Sequence, residues 1–378
     1  MSKPRLLFVS NLFPDQAEPY RGLDNATLLH HLLPQFEIRA ISPRPALFAR
    51  PSRRPRDLDQ VFEPVYVNAA YVPKFGSYFN HRFMACALRG PLEKLRAIWP
   101  YDVVLSSWIY PDSCAIAALA GSVPFVSIAQ GSDVHQYLQM PARRRIILDS
   151  MRHASGIVTR SAALAQLLAE AGLPKARLHP IYNGIDFNQF QPGDPSVARR
   201  ELGLPESGPV LLFVGNLVAI KNPLLLLQAH ARLSGAHLVL VGGGSMEKQV
   251  RELALTLGTA GRITFAGRRS APEVARFMQA SDVLALPSWN EGVPNVILEA
   301  FACGLPVVAS RVGGIGEVHD QSFLGRLVKA GDLDELTQAL GQVTALPTDR
   351  EMIRRHALRF SWENAAQAYT EVLQRCCQ

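Results

Sequence analysis

The chain has 378 residues, 48% of them hydrophobic and 19% charged, long enough for two cores and too apolar for a disordered polymer. Five scattered cysteines (Cys86, Cys114, Cys303, Cys376, Cys377) include no CxxC pair, which argues against a disulfide framework or structural zinc site and for a reducing compartment. The formal charge of +7 is uneven: residues 1–195 hold 21 basic and 15 acidic side chains, residues 196–378 hold 18 and 17. The first half therefore carries the excess that an anionic partner (phosphate, membrane surface or nucleic acid) would match.

In chain order, apolar runs at 5–10, 38–41, 65–72, 103–106, 124–128 and 156–159 read as strands. Helices are expected at 26–33, capped by Asp24, at about 113–120 and at 162–171. The pattern restarts with strands at 210–214, 237–241, 263–265, 283–286 and 307–309, alternating with helices near 223–233, 246–257, 271–279 and 296–303. A last helix covers about 363–373. Continuous Val/Leu/Ile strands alternating with helices predict two doubly wound α/β domains with parallel sheets. The boundary falls near Asn183-Gly184 and Gly193-Asp194-Pro195, the latter reading as a linker. The N-terminus lacks a signal peptide pattern, and the longest apolar stretch (114–129) is interrupted by Gly121-Ser122 and Pro124, so a soluble protein is expected.

Ligands of open α/β sheets bind beyond the carboxyl ends of the strands, and one loop there dominates. Pro287-Ser288-Trp289-Asn290-Glu291-Gly292-Val293-Pro294 follows a strand and precedes a helix that Asn295 can cap. The amides of Asn295, Val296 and Ile297 at its start favour an anion such as diphosphate. Glu299, set in an apolar run, has the chemistry to hold a ribose, and Glu291 the hydroxyls of a sugar; the plain alternative is two solvated glutamates. Gly215-Asn216-Leu217-Val218-Ala219-Ile220-Lys221-Asn222-Pro223 is not a Walker A loop, but puts a glycine at a strand end and Lys221 before a helix capped by Asn222, a geometry suited to phosphate or else to a surface lysine. Gly242-Gly243-Gly244 reads as a tight turn, and Gly267-Arg268-Arg269 as a corner that borders base or phosphates or neither. In the first half, Gln130-Gly131-Ser132-Asp133 follows a strand; Asp133 either approaches the reacting sugar or caps a helix. Gly22 lets the backbone approach a phosphate or acceptor, or is a plain turn glycine. His135, His153 and His179 are too dispersed for a metal cluster, and His179 reads as a packed strand-edge residue. Neither a GxSxG elbow nor a Cys/His pair at a recognisable spacing is present.

These residues resemble a known family. Pro287-Ser288-x-x-Glu291-Gly292-x-Pro294 followed by Glu299-Ala300-x-Ala302-x-Gly304-x-Pro306 is similar to the signature of the retaining GT-B glycosyltransferases of group 1 (family 4). Gly131-x-Asp133, Asn183-Gly184-Ile185-Asp186, Gly215-x-Leu217 with Lys221, Val312-Gly313-Gly314-Ile315-x-Glu317 and Ser361-Trp362 extend the likeness along nearly the whole chain. The resemblance implies a GT-B fold of two Rossmann-like domains facing across a cleft: an acceptor domain at 1–187, joined by a returning helix at 360–378, and a donor domain at 188–359. It implies transfer of a hexosyl unit from a nucleotide-diphosphate sugar to a glycan or lipid-linked acceptor with retention, and no cofactor or required metal. Glu299 would bind ribose, Lys221 the diphosphate, and Glu291 with Gly292, Pro294, Asn295 and Val296 the donor sugar. Gly215, Asn216 and Arg268 complete the donor side; Asp133, like Glu291, is read as catalytic, and Gly22 and Gln130 as acceptor-side. Two positions depart from the pattern: Asn216 where many relatives carry arginine, and Gln130 where many carry histidine. A nucleotide-sugar epimerase and a catalytically quiet binding subunit are the rival readings.

The basic excess includes Arg44, Arg50, Arg53, Arg54 and Arg56 in one Pro-rich stretch, followed by Phe75, Tyr78, Phe79, Phe83 and Met84 among Lys74, Arg82 and Arg89. This half is expected to dock on an anionic membrane at its inner, cytoplasmic face, or else to show a solvated basic face with core aromatics. No nucleic-acid-binding motif accompanies the charge, so nucleic acid is not expected.

Overall fold

In the computed structural model, the residues described are 3–46, 53–72 and 74–377, with only the backbone at 74–76 and 132. Arg50 and the side chains of Lys74 and Phe75 lie outside the described residues. The chain divides into two compact units, Met1–Gly184 with Trp362–Gln378, and Ile185–Ser361, so the chain leaves the first unit after Gly184 and re-enters it at Trp362.

The first unit holds strands β1 (Arg5–Val9), β2 (Glu37–Ala46), β3 (Val65–Ala70), β4 (Val103–Ser107), β5 (Phe125–Ala129), β6 (Gly156–Thr159) and β7 (Leu178–Pro180). They form one parallel sheet in the order β3-β2-β1-β4-β5-β6-β7. Alternation along β1 feeds two cores: Leu7 and Val9 pack with Met84, Leu88 and Ile147 on one face, Leu6 and Phe8 with Leu28, Leu29 and Tyr369 on the other. Tyr369 belongs to the last helix, Trp362–Cys376, whose buried stripe closes the second face.

The second unit holds β8 (Val210–Val214), β9 (His237–Val241), β10 (Ile263–Gly267), β11 (Val283–Leu286), β12 (Val307–Ser310) and β13 (Gly325–Val328), in the parallel order β10-β9-β8-β11-β12-β13. The order reverses beside β8 and β11, so the loops after these two strands flank the switch point where such sheets bind ligands.

Several local expectations change. Asp24 does not cap the first helix, which runs Leu23–Leu32 with Gly22 at the cap position. The stretch Gly193-Asp194-Pro195 is a helix start, not a linker: Asp194 accepts from Ser196 and Val197 amides and caps Pro195–Leu202. Helix Asn80–Ile98 contains Gly90 and Pro91, whose breaker character hid it from a periodicity reading. Helix Pro141–Met151 carries three consecutive arginines, Arg143, Arg144 and Arg145, that mask its buried Ile147 and Met151.

Candidate functional site

The loop after β8 lies on the loop after β9, backbone on backbone. Leu217 donates to the Gly243 carbonyl (3.1 Å), Met246 to the Leu217 carbonyl (2.9 Å) and Gly215 to the Val241 carbonyl (2.9 Å). A Cβ on Gly242 would fall 1.9 Å from the Gly215 oxygen, and Gly242 has φ +133°. The glycine triplet is therefore a bed for the Gly215 loop rather than simply a tight turn. That bed carries Lys221, at the end of a short turn, Ala219–Lys221. Asn222 takes the cap position of helix Pro223–Ala231 but in the left-handed conformation (φ 50°). Its side chain does not cap, contrary to expectation, and its Nδ2 has no partner.

The Glu291 loop closes on this platform. The Trp289 amide donates to the Ile220 carbonyl at 2.8 Å, and Lys221 Nζ donates to Glu291 Oε1. The buried Ser288 hydroxyl donates to the same oxygen at 2.8 Å. Lys221 and Glu291 are 22% and 11% exposed, so their contact sits partly out of water, where it is stronger than a surface pair. A third loop braces the second from behind: Gly314 donates to the Gly292 carbonyl (3.0 Å), and a Cβ on Gly313 would lie 1.7 Å from the Glu291 oxygen. Ser288 and Gly313 have no role assigned from the sequence, although both fall within the Pro287-Ser288-x-x-Glu291 and Val312-Gly313-Gly314 motifs.

The helix after this loop spans Asn295–Ala302, with Pro294 at the cap position and no side-chain cap, so Asn295 is its first residue rather than its cap. Ile297 donates to the Pro294 carbonyl at 3.0 Å, so its amide is not open to an anion as expected. Val296 and Glu299 are half-buried. Burial, with the Glu299 charge one turn away adding to it, pushes the Cys303 thiol up to about 12. Asn216 and Arg268 are exposed; Arg268 follows Gly267, whose carbonyl accepts from Gly242 at 2.8 Å. The second unit thus gathers Gly215, Lys221, Ser288, Glu291 and Gly292 around one pair of charges at the carboxyl edge of its sheet.

In the first unit the expected residues are loop braces. A Cβ on Gly22 (φ +64°) would lie 2.2 Å from the Leu12 carbonyl. Asp133 is fully buried and accepts from the amides of Ile109 (2.8 Å), Gln130 (3.0 Å) and Gly131 (2.8 Å). Burial nevertheless raises its carboxyl to about 6, the three amides opposing the shift. Both its oxygens are thus taken up in holding the loops after β4 and β5. Gln130 donates to Ser107 Oγ (2.8 Å) and Asn25 Oδ1 (3.2 Å). His179 lies on the edge strand β7 and is half-buried.

The arginine-rich stretch is largely internal. Arg44 is 2% exposed and pairs with Asp15 at 2.8 Å, Arg53 pairs with Asp15 and Glu18, and Arg56 with Asp59 at 2.6 Å. Arg54 is exposed. Met84 is core, whereas Phe79 (51%) and Phe83 (38%) are exposed, with Arg82 5.8 Å from the Phe79 ring centre. No helix among the described residues is long and apolar enough to cross a membrane.

Comparison with known proteins fits this arrangement. The model of "Glycosyl transferases group 1" matches residues 196–360 and that of "Glycosyltransferase Family 4" matches 12–189. The D-inositol 3-phosphate glycosyltransferase of Mycobacterium tuberculosis is 32% identical over 293 residues, covering 71% of this chain and 60% of the relative's length. Anabaena HepE, solved with UDP, superposes with TM-score 0.77 at 22% identity, covering 98% of this chain and 100% of the other. Sucrose-phosphate synthase of Thermosynechococcus elongatus gives TM-score 0.78 at 19% identity and 98% coverage of both chains.

Proposed function

The chain belongs to the group 1 family of glycosyltransferases and has their GT-B fold, and on that premise we propose that it is a retaining hexosyltransferase. Its donor is a nucleotide-diphosphate sugar and its acceptor a glycan or lipid-linked sugar of surface-polysaccharide or glycolipid assembly. The observation that carries this reading is the pairing of Lys221 with Glu291 beside the start of helix Asn295–Ala302. It puts a cation, a sugar-binding carboxylate and a positive helix end at one strand edge. That HepE has been solved with UDP and with UDP-glucose supports a nucleotide-sugar donor here.

Departure of a nucleoside diphosphate needs its growing negative charge stabilised. Lys221 and the Val296 amide supply that stabilisation in place, so the reaction proceeds without a bound cation. The leaving phosphate itself takes the acceptor proton, and the acceptor oxygen bonds to the sugar on the face that the nucleoside diphosphate leaves, retaining configuration. Asp133 and Gln130 contribute by fixing the acceptor-side loops. The exposed Phe79, Arg82 and Phe83 form the contact with the anionic inner surface of the cytoplasmic membrane.

Incubation with UDP-, GDP- and ADP-sugars in the presence of EDTA tests the reading. Slow donor hydrolysis that survives EDTA is expected; isomerisation of the sugar would favour an epimerase, and binding without turnover a quiet subunit. Flotation with anionic liposomes tests the membrane contact, and failure to float at low salt would overturn it.

A further inference from the structure

Arg160 stands at the carboxyl end of β6. Among the described residues three arginines are less than a tenth exposed: Arg44, Arg160 and Arg199. Arg44 has Asp15 at 2.8 Å and Arg199 has Asp282 at 2.7 Å. Arg160 has no carboxylate; its Nε donates to Gln130 Oε1 at 3.3 Å, while Nη1 and Nη2 are buried without a hydrogen-bond partner. A buried guanidinium left uncompensated is unfavourable, and its paired donors match an oxyanion.

The surroundings are built rather than incidental. Gln130, which meets Arg160, is fixed by Ser107 and Asn25, so the ends of β4, β5 and β6 and the first helix form one network that ends in the two unpartnered nitrogens. The guanidinium carbon lies 5.9 Å from the Tyr369 ring centre, and the Tyr369 hydroxyl is another buried polar atom without a partner. Helix Ala162–Glu170 begins two residues on and adds the positive end of its dipole.

We infer that Arg160, aided by the Tyr369 hydroxyl, is a subsite for an oxyanion, a phosphate monoester or carboxylate carried by the acceptor. Assigning the anion to the acceptor rests on the glycosyl-transfer reading; the subsite does not. The test is thermal unfolding of the full chain with inorganic phosphate, glucose 6-phosphate or glucose, for wild type, Arg160→Gln and Lys221→Ala. Both phosphates should raise the Tm of wild type and Lys221→Ala alike, glucose should not, and Arg160→Gln should lose the shift. A shift at lower concentration with glucose 6-phosphate assigns the anion to a sugar; equal shifts assign it to free phosphate. A shift retained in Arg160→Gln, or none in wild type, overturns the subsite. Should Arg160→Gln not fold, Arg160→Lys keeps the charge without the fork, and calorimetry should then show about tenfold weaker phosphate binding, unchanged affinity overturning the proposal. Phosphate shifts without any donor turnover would leave the subsite standing and the transferase reading refuted.

Discussion

Lys221 and Glu291 are 70 residues apart in sequence, yet the lysine ammonium and the Ser288 hydroxyl both donate to Glu291 Oε1. The contact ties the loop after β8 to the loop after β11, so a diphosphate that engages Lys221 must share or displace the carboxylate. Binding at one loop is thereby felt at the other. Under the proposed function, Lys221→Ala removes the charge assigned to the leaving group as well as the counter-ion of Glu291, and should lower kcat by about 10²–10³. Glu291→Gln should lower it as well, and the double variant should lose less than the product of the two, because the residues act as a pair. Steady-state kinetics on the three variants check this; independent, multiplicative losses would contradict it.

Glu299 is half-buried on the helix that follows this loop. If it holds the ribose hydroxyls, Glu299→Ala should weaken binding of the nucleoside diphosphate about 10- to 100-fold, the loss expected for hydrogen bonds to a charged group. Calorimetry with UDP, GDP and ADP reads the effect, with circular dichroism as the control for folding. Equal affinity in the variant would remove Glu299 from the site.

Gly242 packs directly beneath the Gly215 loop. Alanine there would meet the Gly215 oxygen at 1.9 Å and adopt an unfavourable positive φ. Gly242→Ala should cost about 3 kcal/mol or more of stability, read by urea unfolding, since strain at a special φ adds to a backbone clash. Gly261→Ala, where a Cβ meets nothing within 4 Å, is the matched control and should be near neutral.

Strand positions were legible because both sheets are parallel and covered on both faces, so β8, β9 and β11 read as unbroken apolar runs. Glu291 and Lys221 were legible as candidates because a charge after a buried strand and before a helix has few structural uses. Their mutual contact was not, since nothing local in either loop encodes a partner 70 residues away. The basic stretch misled for the same reason: Arg44, Arg53 and Arg56 look like a surface patch until Asp15, Glu18 and Asp59 are placed beside them. Asp133, by its place after a strand, reads either as approaching the reacting sugar or as a helix cap, and only the three amides around it show what occupies its oxygens.

Asp112 offers a pH test in the first unit. It is fully buried, accepts from the Asn11 amide and side chain, and burial raises its carboxyl from 3.8 to about 7 against those hydrogen bonds and the distant Arg21 charge. A carboxyl whose folded pKa exceeds the unfolded one keeps its proton longer when folded, so its contribution to stability falls as pH rises from about 4 to about 7 and is flat above. Asp133, raised to about 6, adds to this trend, while the neutral His230, lowered to about 4, works in the opposite direction over part of the range, so the raw stability curve mixes several groups. Comparing wild type with Asp112→Asn isolates the carboxyl. The variant loses an ionisable group but also one acceptor of the Asn11 bonds, and should be the less stable protein near pH 4. The gap should narrow steadily towards pH 7 and stay constant above it. Urea unfolding at four or five pH values between 4 and 8 measures the gap, and a pH-independent difference would show that Asp112 ionises normally in the folded chain.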